Sequence, residues 1–166
     1  QSAFDLILKN NINTTLHAGE AYGSESIHQA IHSCGTHRIG HGTHLRDNHD
    51  LMQYVNDHRI PLEICLSSNI HTNSISTLKD HPFLYYLNQH LRVTLNTDNR
   101  LISNTTLTNE YLTAINQFKL NQNQVYTIII NGFKSAFMPH IEKRSLIKDI
   151  VDELETELGF DKNIII

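Results

Sequence analysis

His17 and Glu20 stand three residues apart in TTLHAGEAYGS, residues 14–24, separated by an Ala-Gly pair. A β-branched, apolar run ends at this imidazole and carboxylate, and both are side-chain types that zinc accepts as ligands. Three later segments end in comparable chemistry. His41 lies between Gly40 and Gly42 in RIGHG, Ser67, Ser68 and Asn69 close PLEICLSSN, and Asp98 and Asn99 close LNTDN. A carboxylic acid, a second histidine and hydroxyl donors around a bound water are what metal-assisted hydrolysis requires. Each piece also has a plain structural reading. His17 could cap a strand, HAG could be a tight turn, and His41 could be a packed loop histidine. The SSN run suits turn chemistry, and Asp-Asn suits an N-cap or Asx turn. Their common placement argues for one shared site.

That placement comes from the elements around them. NTTLH (13–17), THRIGHG (36–42), IPLEICLSSN (60–69) and RVTLNTDN (92–99) read as strands, the third running into a polar loop. Between them, SESIHQAIHSC (24–34), DNHDLMQYVNDH (47–58) and HPFLYYLNQH (81–90) read as helices. In the first of these, Ile27, Ala30, Ile31 and Cys34 share a face and Ser24 is the expected N-cap. Pro82 suits the first turn of the third. Strands alternating with helices predict parallel βα units, whose chemistry gathers at the carboxyl ends of the strands. Beyond Asn99 the pattern turns helical: 106–118, 123–137 and 140–158, with Pro139 at the last turn and Gly159 at the final stop.

Bulk properties narrow the partners. The 166 residues carry 13 Lys+Arg against 17 Asp+Glu, a formal charge of −4. This balance argues against nucleic acid or an anionic membrane as a partner. No apolar run is long enough for a membrane span and no signal peptide is evident, so a cytoplasmic location is expected. Cys34 and Cys65 form no metal or disulfide motif. Of the 12 histidines, most, including His28, His32, His49, His58, His81 and His90, read as surface or packing residues.

HAGE (17–20), RIGHG (38–42), PLEICLSSN (61–69), LNTDN (95–99) and SAFMP (135–139), in this order and at this spacing, resemble the adenosine deaminase family. The likeness covers essentially the whole chain and matches the carboxyl-terminal half of the family's domain. It implies a (β/α)8 TIM barrel with one Zn2+ at the carboxyl end of the barrel. The implied reaction is hydrolytic deamination of adenosine or 2′-deoxyadenosine to inosine or 2′-deoxyinosine, releasing ammonia, a purine-salvage activity. By this resemblance His17 and Asp98 are metal ligands, and Asp98 also takes a proton from the attacking water. Glu20 gives a proton to the purine ring nitrogen beside the attacked carbon, and His41 orients and supports the attacking hydroxide. Asn99 stands where many members carry a second aspartate, and offers the purine a non-titrating amide N–H. Ser68 is expected to support Asp98 by a hydrogen bond. Asn99-Arg100 favours a nucleoside over the free base. Adenine or another 6-aminopurine is the alternative substrate, and a non-catalytic purine-binding module is the alternative of a different class. The PCxxC element of the zinc deaminases that act on nucleic-acid bases is absent.

A barrel of this kind usually needs about 250 residues. The resemblance therefore implies that residues 1–166 are the carboxyl-terminal half of one catalytic domain, strands five to eight plus terminal helices. Two further histidine ligands are expected from a His-x-His pair in the amino-terminal half, and no such pair precedes His17. QSAFDLILKNN then reads as the tail of an earlier helix. Such a half-barrel should leave two sheet edges and an apolar inner face uncovered, and hold too few ligands for tight zinc binding or activity. The expected partners are the missing half and a purine nucleoside, with a self-pairing half-barrel as the alternative.

Overall fold

The computed structural model describes residues 2–160; Gln1 and residues 161–166 of the expected domain lie outside them. The chain opens with α1 (Ser2–Lys9), the helix foreseen as the tail of an earlier unit. Strand–helix alternation follows: β1 (Thr15–Ala18), α2 (Ser24–His32), β2 (Arg38–His41), α3 (His49–Asp57), β3 (Leu62–Ile64), α4 (Leu66–His71), α5 (Phe83–Asn88) and β4 (Val93–Leu95). The rest is helical: α6 (Arg100–Ser103), α7 (Leu107–Phe118), α8 (Gln122–Ser135) and α9 (His140–Leu158). The four strands form one parallel sheet in the order β1-β2-β3-β4. No helix among the described residues is long and apolar enough to cross a membrane.

Strand alternation divides the sheet into an apolar and a polar face. Ile39, Leu62, Ile64, Val93 and Leu95 are buried against Ile27 of α2, Leu51 and Val55 of α3, Phe83 and Tyr86 of α5, and Ile128 of α8. Each completely buried residue of this kind contributes about 1.5–3 kcal/mol through removal from water. The opposite face carries the paired row His17, Gly40, Glu63 and Thr94. It is not the apolar inner face expected from a half-barrel. Thr15 donates its hydroxyl to Glu63, and Arg38 Nε sits 3.1 Å from Glu63 Oε1. These partners neutralise a carboxylate that would otherwise be costly away from bulk water.

Other local readings also change. The polar SSN run is not a loop, because the chain coils into α4 directly after Cys65. A buried carboxylate stabilises that start: Glu110 Oε2 accepts from the Ser67 N–H at 3.2 Å, and its Oε1 accepts from Thr105 Oγ1 at 2.9 Å. An acceptor at a helix N-terminus satisfies one of its orphan donors. Gly23, not Ser24, occupies the N-cap of α2. Ser26 instead ties the turn together, accepting from Gly19 N and donating to Gly23 O, both at 2.8 Å. Gly40 lies inside β2. A Cβ there would approach His17 Cδ2 to 3.1 Å and His17 Cα to 3.3 Å, so the missing side chain makes room for the histidine on the neighbouring strand.

Candidate metal and catalytic site

His17 is the third residue of β1 and points to the polar face beside Gly40. Strict alternation would send the next row, Ala18 and His41, to the opposite side. Ala18 does join the core, but His41 has φ +66° and its ring swings back to His17. Asp98, past the end of β4, also has positive φ, at +53°. Non-glycine residues in this region carry backbone strain, which persists where the surroundings over-determine it and is frequent at functional sites. Around His41 those surroundings are Gly42 at φ +66° and the buried Tyr86, whose hydroxyl lies 3.0 Å from the carbonyls of Gly42 and Thr43 and accepts from Arg46 N–H.

The result is a tight group at the carboxyl ends of β1 and β2. His41 Nε2 is 3.3 Å from His17 Nδ1 and 3.4 Å from Glu20 Oε2. One ligand atom from each of His17, Glu20 and His41 lies within 4.8 Å of the others. Imidazole and carboxylate donors at that separation suit a divalent ion of the zinc type. Thr72 Oγ1 donates to the other Glu20 oxygen at 3.2 Å. Burial holds the His41 pKa below the ordinary histidine value, with the Glu20 charge working against that shift. His41 therefore presents a neutral ring.

Asp98 is outside this closest trio but electrostatically part of the site, since its charge acts on His41 and both imidazoles act on it. Ser68, projecting from α4, donates its hydroxyl to Asp98 Oδ2 at 2.7 Å. That bond is the largest cause holding the Asp98 carboxyl below the usual carboxylate range. Asn99 does something the ligand reading did not require. Its Oδ1 caps α6, accepting from Leu101 N and Ile102 N at 3.1 Å each. This leaves the exposed residue's Nδ2 amide as its free donor.

Two side chains stand behind His41, one from the strand-end SSN run and one that the sequence did not single out. Asn69 sits on α4, wholly buried, with Nδ2 3.0 Å from His41 Nδ1. His81, one of several unremarkable histidines in the sequence, is buried with Nε2 3.1 Å from Asn69 Oδ1. They are 12 residues apart and Asn69 is 28 from His41, so no local spacing connects the three.

Parallel strand–helix units with a histidine–carboxylate cluster at the strand ends define an α/β protein of amidohydrolase-like fold. The fold matches adenine deaminase from Arthrobacter aurescens with a TM-score of 0.87 at 21% identity, over 93% of this chain and 47% of that one. It matches the N6-methyl-AMP deaminase of Arabidopsis thaliana with a TM-score of 0.81 at 30% identity, over 94% and 45%. In sequence, it is 39% identical over 160 residues to an adenosine deaminase of Mycobacteroides abscessus, spanning 90% of this chain. The family model of adenosine deaminase matches residues 1–153. The chain belongs to the adenosine deaminase family. It spans about half the length of the curated relatives it matches, 44% in the Mycobacteroides case.

Proposed function

We propose that residues 1–166 are the carboxyl-terminal half, strands five to eight, of a zinc-dependent adenosine deaminase domain, inactive without the amino-terminal half. The reaction is hydrolysis of adenosine or 2′-deoxyadenosine to inosine or 2′-deoxyinosine, with release of ammonia. The observation that carries this reading is the convergence of His17, Glu20 and His41 within 4.8 Å, beside an Asp98 held ionised by Ser68. His17 and Asp98 are the ligands this chain would offer to zinc. Zinc, when bound, supplies a water of lowered pKa as the nucleophile.

The side chains do the rest. Attack at the amino-bearing carbon loads electrons onto the neighbouring ring nitrogen, and Glu20 donates a proton there. His41 donates from Nε2 toward the attacking oxygen. Asp98, ionised by its bond to Ser68, accepts the proton that the water sheds. Asn99 has Oδ1 occupied by the α6 cap and offers its amide N–H to the purine's five-membered ring. A nucleoside is the preferred substrate on this reading, and adenine or another 6-aminopurine is the alternative. Ammonia release by the full-length protein from adenosine, adenine and adenosine monophosphate tests it, with and without chelator. Adenosine is expected to give the highest kcat/KM, abolished by chelation. A preference for the base or the nucleotide, or turnover in the metal-free protein, would overturn it.

Ser68→Ala removes the hydroxyl donor to Asp98. The Asp98 pKa then rises toward its ordinary value, and zinc affinity in the full-length protein drops about 10–100-fold, as for other outer hydrogen bonds to metal ligands. Competitive zinc titration measures it, and unchanged affinity would detach Ser68 from the metal site.

A further inference from the structure

We infer that His81 and Asn69 are positioning residues that lock His41 in the Nε2–H tautomer, starting from a single backbone N–H. The role of that proton in deamination rests on the function proposed above; the tautomer itself does not.

The chain of hydrogen bonds has one consistent direction. Phe83 N–H, a donor at the start of α5, lies 3.1 Å from His81 Nδ1. An amide N–H can only donate, so Nδ1 must present its lone pair. His81 is 4% exposed, and burial pushes its pKa down to about 3, so the ring is neutral and its one proton sits on Nε2. That Nε2–H points at the Asn69 side chain 3.1 Å away, which must answer with Oδ1. The amide orientation of Asn69, 0% exposed and with no freedom to flip without losing this bond, is thereby set. Its Nδ2 then donates to His41 Nδ1 at 3.0 Å. A neutral His41 accepting at Nδ1 carries its proton on Nε2, the nitrogen facing His17 and Glu20.

Each link is buried, so water does not compete, and reversing any one link would leave two donors or two lone pairs in contact. A neutral histidine otherwise has two tautomers, and only Nε2–H can donate into the site. Holding a catalytic histidine in the wrong tautomer costs about 10⁴-fold in kcat in a well-studied protease. The local sequence around His41 does not decide between the two; α4 and the start of α5 do.

The test is ¹⁵N NMR of histidine-labelled full-length protein, whose ring-nitrogen shifts separate Nε2–H from Nδ1–H. Wild-type His41 is expected as Nε2–H. Asn69→Asp keeps the shape but offers His41 only acceptors, so His41 should now carry a proton on Nδ1. His81→Gln retains a donor to Asn69 and should preserve the wild-type pattern, whereas His81→Leu should give mixed tautomers. In the active enzyme, Asn69→Asp should lower kcat about 10²-fold or more while KM changes little. A wild-type His41 protonated on Nδ1, or an Asn69→Asp protein whose His41 Nδ1 stays bare, overturns the inference whether or not the protein deaminates adenosine. A uniform Nε2–H signal in His81→Leu would likewise overturn the part assigned to His81. A deaminase assay that fails while the tautomers follow this pattern points instead at the proposed reaction.

Discussion

Glu20→Gln, made in the full-length protein, lowers kcat for adenosine by about 10²–10⁴-fold, the usual contribution of a positioned general acid. The amide matches the carboxyl in size and its oxygen can still accept from Thr72 Oγ1, 3.2 Å away in the parent protein. What disappears is an ionisable proton within reach of a ring nitrogen that gains electrons in the transition state. KM should move much less, because the interaction is made mainly in that state. Zinc content is the decisive second readout, since Glu20 Oε2 lies only 3.4 Å from His41 Nε2 and belongs to the trio able to hold an ion. Full zinc occupancy with a collapsed kcat identifies a proton donor. Loss of zinc with the activity would make Glu20 a ligand, and a wild-type rate would remove it from the chemistry.

His81→Gln flattens the acid limb of the stability profile. His81 is buried, and its pKa falls from an ordinary 6.5 to about 3 through burial first and then the nearby Arg46 charge. The unfolded chain therefore binds a proton on this ring near pH 6.5 that the folded chain refuses until about pH 3. Between those values the unfolded state holds more protons, so stability falls as pH falls, by about 1.4 kcal/mol per pH unit. At pH 4 the accumulated loss from this one group is about 3 kcal/mol, a large part of a typical domain's stability. Glutamine can donate to Asn69 Oδ1 yet does not titrate. Urea midpoints for the two proteins should differ little more at pH 7.5 than at pH 7, then draw together or cross by pH 4. Parallel profiles down to pH 4 would mean that His81 is not the group resisting protonation.

Much of the candidate site was legible because strand ends punctuate the sequence. The β-rich runs stop at His17, His41 and Asp98, and parallel βα units bring such stops to one end of a sheet. Periodicity also located the helical faces: Ile27, Ala30 and Ile31 of α2 are buried as their spacing predicts. Elsewhere tertiary partners decided. The Ser67-Ser68-Asn69 run has turn propensity, yet 66–71 is a helix, and Glu110, far along the chain, accepts from the Ser67 amide in its first turn. The inner face is polar because Thr15, Arg38 and Glu63 come from three different strands and meet there, Thr15 as a hydrogen-bond donor and Arg38 as an ion-pair partner of Glu63.

By itself, the sequence determined the order of strands and helices, the identity of the side chains at the strand ends, and a family resemblance that five short motifs carry. Those are properties of local periodicity and residue type, which act over a few residues. Only the tertiary structure decided which way His41 faces, since its φ of +66° breaks the alternation any strand rule assumes. The resemblance led to the Ser68–Asp98 bond, but the tertiary structure alone set His81 behind Asn69, because a hydrogen bond between residues 12 positions apart is made by folding and leaves no periodic trace.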